Sequence, residues 1–164
     1  MNILRKIGFL VLTFLLDAVL FSRIEILGGT VDFTLAVIAV IAMVDGTLGA
    51  TTFALILGIL EDFVFARYFG VRTLGLFLFA YVIAEISKKM LDLTVLRVWL
   101  WIVIGHLVVH FSIYALNTYL GVYFSMHGWK FIPALSGAVL TGFAGLLFYF
   151  IYARGKRRKM YYGF

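Results

Sequence analysis

Apolar residues fill this chain in long runs, and polar residues break the runs at only a few places. The runs cover Ile7–Phe21, Thr30–Val44, Thr47–Phe65, Thr73–Ile86, Val98–Leu120 and Phe131–Ala153. A helix that crosses the hydrocarbon core of a bilayer needs ~20 mostly apolar residues, with a range of ~17–25. The pattern therefore predicts an all-α integral membrane protein, a six-transmembrane-helix bundle. Only Asp45-Gly46 separates the short second run from the third. A tight helical hairpin explains this spacing. So does one long helix, which would leave five spans.

Charge decides between the two. With six spans and the N-terminus inside, the inner side holds Arg5, Lys6, Lys88, Lys89, Arg97, Arg154, Lys156, Arg157, Arg158 and Lys159, and the outer side holds Arg23, Arg67, Arg72 and Lys130. That is ten basic residues against four. Fusing the second and third runs inverts everything downstream and leaves five inside against nine outside. Cytoplasmic loops carry the excess of Lys and Arg, so six spans with both termini cytoplasmic are predicted. Trp99 and Trp101 after Arg97, and Trp129 beside Lys130, sit where amphipathic rings favour the membrane interface. Arg5 and Lys6 before Ile7–Phe21 look like the start of a signal peptide. No small-x-small cleavage site follows, so a retained first helix is expected.

Composition supports lipid as the solvent. Of 164 residues, 64% are hydrophobic and 13% are charged, with a mean hydropathy of +1.09. A soluble domain of this size would carry about 25% charged residues. Residues 1–164 read as a single transmembrane domain ending in a basic cytoplasmic tail, 154–164. The net charge of +6 is explained by topology, and no nucleic-acid partner is expected. The tail could touch anionic membrane lipids. Cysteine is absent, which excludes thiolate chemistry and Cys-based metal sites. No nucleophile elbow, phosphate-binding Gly loop or catalytic carboxylate pair is present. The chain is expected not to be an enzyme and to have no cofactor.

A few polar residues fall inside the runs, where ionisable groups are costly and point to function by default. Asp17 has no basic partner in its own run, so it must pair with another helix, face water or carry a proton. Glu85 precedes Lys88 and Lys89 by three and four residues, the spacing of an ordinary helix-end ion pair. Glu61 and Asp62 lie near the outer end of the third run. Gly46, Ala50, Ala54 and Gly58 recur every four residues ahead of Asp62 and predict a tightly packed internal helix. Ala134, Ala138, Gly142 and Gly145 repeat the device in the sixth run. Asp62 is expected to pair with Arg67 or Arg72. His106, His110, Tyr114 and Asn117 fall within about 80° of one helical face. They read as an interior polar stripe satisfied by hydrogen bonds. His106-Leu-Val-Val-His110 lacks the glutamate of a metalloprotease motif, and zinc would need a third ligand from elsewhere. No metal site is expected.

The segment Gly58-Ile-Leu-Glu-Asp62-Phe-Val-Phe-Ala-Arg-Tyr-Phe-Gly70-Val-Arg72-Thr-Leu74, followed by Ala80-Tyr81, resembles the MreD family of rod shape-determining membrane proteins. That family places Gly four residues before an Asp, a second Gly eight residues after it, and often an Ala-Tyr pair beyond. Gly58, Asp62, Gly70, Ala80 and Tyr81 fit, whereas Ala66 and Tyr68-Phe69 depart from the usual loop residues. The close match covers about 25 residues. The resemblance implies a non-enzymatic scaffold subunit of the bacterial cell-elongation machinery in the cytoplasmic membrane. The implied partner is the membrane helix of MreC, with indirect links to MreB, to RodA and to its penicillin-binding transpeptidase. Homodimerisation is left open. The resemblance also implies a fold similar to the S components of energy-coupling-factor vitamin transporters, which supplies an alternative function in small-molecule uptake. The docking motif Ala-x-x-x-Ala of those components is missing, because Ala18 is the only alanine in the first run.

Overall fold

A computed structural model describes residues 3–20, 25–26, 28–65, 69–89, 94–119 and 131–161. Arg23, Arg67, Trp129 and Lys130 lie outside these residues, as do the side chains of Arg5, Lys6, Asn117 and the basic tail. The described residues form six helices and one two-residue antiparallel pair: α1 Ile3–Leu20, β1 Glu25–Ile26, β2 Gly29–Thr30, α2 Phe33–Asp45, α3 Thr47–Phe65, α4 Val71–Lys88, α5 Val95–Tyr119 and α6 Phe131–Tyr161.

The shortest helix is the hub. α2 is apolar all round, and every residue from Thr34 to Met43 is buried. A helix with no polar face must be sheathed by others, and α2 packs against all five remaining helices. Gly46 ends it at φ +80°, ψ −170°, a conformation essentially restricted to glycine, and α3 turns back along it. Residues 33–65 are therefore a helical hairpin, and the single long helix is excluded.

This turn corrects one member of the small-residue stripe. Gly46 belongs to the turn, and a Cβ there would meet open space. The rest of the stripe packs as expected. Ala50 and Ala54 are fully buried, and a Cβ on Gly58 would lie 2.7 Å from the Thr73 Cα of α4. α6 uses the same device against α5: a Cβ on Gly142 would meet Trp99, and one on Gly145 would meet Ile102.

Among the described residues, three helices are long and apolar enough to cross a membrane: Thr47–Val64, Val95–Leu116 and Ile132–Tyr152. Large apolar side chains on the outer faces of α3 to α6 are exposed, among them Phe63, Leu78, Val108, Phe143 and Leu147. Apolar surface of that extent marks a non-aqueous environment or a partner. α6 does not stop where its apolar run does and continues helical to Tyr161. Arg and Lys are good helix formers, so the loss of hydropathy at residue 154 does not end the helix.

Candidate functional site

The buried polar groups gather at the end of the bundle where α2 begins. A helix start leaves its first four N–H groups without partners in the helix, and in an apolar interior each unsatisfied group costs several kcal/mol. α2 starts inside the bundle, and two carboxylates meet this need. Asp32 is the N-cap, and its Oδ1 accepts from the Leu35 N–H at 2.8 Å. Asp17, from α1, accepts from the Phe33 N–H through Oδ1 at 2.9 Å and from the Thr34 N–H through Oδ2 at 2.7 Å. The Ala36 N–H donates to the Asp32 carbonyl at 3.1 Å. Asp17 is thus the structural polar contact between helices, capping the start of α2 from α1.

Asp62 acts in the same way on α4. Its Oδ2 accepts from the Gly70 and Thr73 N–H groups, each at 2.9 Å, and from the Thr73 hydroxyl at 2.5 Å. Its Oδ1 accepts from the Arg72 N–H at 3.2 Å. The expected ion pair with the Arg72 guanidinium is not formed. Backbone donors at the start of α4 take both carboxylate oxygens, and the guanidinium turns inward instead. Gly70 takes φ +96° as the N-cap of α4, which lets its N–H reach Asp62. Of the other motif residues, Ala80 is fully buried, whereas Tyr81 is 49% exposed on the outer face of α4.

Arg72 joins α2, α3 and α4. Its Nη2 donates to Asp32 Oδ2 at 3.0 Å and its Nε donates to Glu61. Asp32 and Glu61 are each about 2% exposed at the side chain. Asp32 directly precedes an apolar helical run, which is the N-cap position, and Arg72, expected beside Asp62, pairs with Asp32 and Glu61 instead.

α5 brings His106 and His110 to the same place. Their rings stack with centroids 4.1 Å apart, and His110 Nε2 lies 3.6 Å from Asp32 Oδ2. Asp32 itself is held by its N–H, which donates to Thr141 Oγ1 on α6 at 3.0 Å. Glycines clear the space: a Cβ on Gly137 would come within 3.3 Å of His106 Nε2 and 2.9 Å of the Thr30 carbonyl. The histidine face is not fully satisfied by hydrogen bonds. His106 Nδ1 and Glu61 Oε1 are buried with no hydrogen-bond partner among the described residues.

The opposite end holds simpler pairs. Glu85 accepts from Lys88 at 2.5 Å, the expected i,i+3 pair, and from the Thr47 hydroxyl at 2.8 Å. Tyr152 donates to Asp45 at 2.5 Å.

Fold and site together define an all-helical protein with membrane-length apolar helices and a buried acid, arginine and histidine cluster at one end. No family model matches the sequence, and no curated protein or solved structure matches it either.

Proposed function

We propose that this chain is a non-enzymatic scaffold of the MreD type, a six-span protein of a bacterial cytoplasmic membrane with both termini inside. It would bind MreC and help to position peptidoglycan synthases for rod shape. One observation carries the reading: the residues of the MreD-like segment work as a unit. Gly58 lets α3 and α4 touch, and Asp62 ties the Gly70 turn to the start of α4. A fold similar to the vitamin-transporter S components is part of the same proposal.

Short connections between helices leave little polar surface for recruitment. Partner binding would use lipid-facing helix surfaces, driven by packing of small and aromatic side chains. An apolar groove of about 310 Å³ between α4 and α5, floored by Gly75, Phe79 and Gly105, offers surface of that kind. The test is purification of the tagged protein from its native membrane. Recovery of a single-span coiled-coil protein, together with conversion of rods to spheres on gene loss while peptidoglycan precursors are still made, would support the scaffold.

A second reading, small-molecule uptake, draws on the buried cluster around Asp32 and His110, since a transporter needs interior polar groups. Recovery of an ATP-binding-cassette module in place of MreC, or saturable binding of a vitamin by the isolated protein, would favour it.

A further inference from the structure

We propose that Asp32, His106 and His110 form a binding site for a divalent transition-metal ion of the zinc class. This goes beyond the scaffold reading and stands or falls without it.

One ligand atom from each of the three residues lies within 4.8 Å of the others. Two histidines at i and i+4 on one helix, with a carboxylate from another element, are a recurrent three-ligand set that leaves a fourth position open. Ligands bound to one tetrahedral ion at ~2.1 Å stand roughly 3.4 Å apart. His110 Nε2 and Asp32 Oδ2, at 3.6 Å, are already near that separation and beyond hydrogen-bonding range.

Three further observations point to a cation. The first is the unpartnered Nδ1 of His106, a residue only 2% exposed. A buried imidazole nitrogen without a partner is expensive unless something binds it. The second is charge. Asp32 and Glu61 share a single guanidinium, that of Arg72. The third is Glu61 Oε1, also unpartnered.

The test uses the full-length protein in lipid nanodiscs, stripped with chelator and titrated with zinc chloride by calorimetry, with cobalt(II) absorption as the coordination readout. The expected result is one equivalent bound, a tetrahedral cobalt spectrum with nitrogen ligation, and a higher melting temperature in zinc. His110→Gln should weaken zinc binding at least about tenfold, since one of three protein ligands is lost, while the metal-free melt stays near that of the parent. His106→Gln should do the same, and if it fails to fold, His110→Gln carries the test alone. Absence of stoichiometric binding by the parent overturns the proposal. Zinc binding undiminished in His110→Gln overturns it equally.

Discussion

Glu61 and Asp62 are neighbours on the same helix end, equally buried at 2% exposure, and their surroundings differ completely. Asp62 accepts four hydrogen bonds, three from backbone N–H groups and one from a hydroxyl. Glu61 meets the Arg72 guanidinium with one oxygen, and its other oxygen is unpartnered. A carboxylate whose acceptor sites are filled by fixed backbone groups is part of the frame. A carboxylate left half-satisfied beside Arg72 retains capacity for something else. The difference separates a structural clamp, α3 to α4, from a responsive cluster on the other side of the same helix.

Breaking the clamp should have the largest effect. Asp62→Ala strands part-buried donors at Gly70, Arg72 and Thr73, and should lower stability by on the order of 3 kcal/mol. Asp62→Asn should lose less, because one acceptor oxygen remains. Detergent-solubilised protein unfolded thermally or with SDS would report both. Unchanged melting in Asp62→Ala would remove the clamp from the account.

Gly58→Ala should come next. Its Cβ would sit 2.7 Å from Thr73 Cα, a backbone atom that cannot swing aside. Overpacking of this kind costs about 1–3 kcal/mol. Asp17→Ala removes the acceptors for the Phe33 and Thr34 N–H groups, a lost helix cap worth about 1–2 kcal/mol. Gly46→Ala meets no neighbour but forces a side chain onto φ +80°, for about 1–2 kcal/mol. The smallest effect belongs to the cluster. His110→Gln in metal-free protein should stay within about 0.5 kcal/mol of the parent, because the side chain is about one-third exposed and its Nε2 makes no hydrogen bond. A large loss there would erase the distinction between clamp and cluster.

Helix positions were legible because apolar runs and membrane-length helices are the same signal. The run Thr47–Phe65 matches α3 at both ends. The hairpin at Gly46 was one of two geometries allowed by hydropathy, and charge asymmetry chose it correctly. The partners of buried polar groups were less legible. Asp62 was paired with arginine because opposite charges attract, but the first turn of α4 offered several aligned N–H donors closer at hand. Asp17 had no visible partner because its partners are backbone atoms of α2, which no residue letter records. Asp32 was the least legible of these residues. Its place at the head of an apolar run marked an N-cap, yet nothing in sequence spacing brings residue 32 to residues 72, 106 and 110. That meeting is a product of tertiary packing around α2.

Topology is the claim on which the proposed membrane placement and the partner reading both depend. The native chain has no cysteine, so Asp92→Cys and Met126→Cys each introduce a single reporter thiol. In intact cells, a membrane-impermeant maleimide should label residue 126 and leave residue 92 unlabelled until the membrane is opened. Labelling of residue 92 from outside would contradict six spans with cytoplasmic termini.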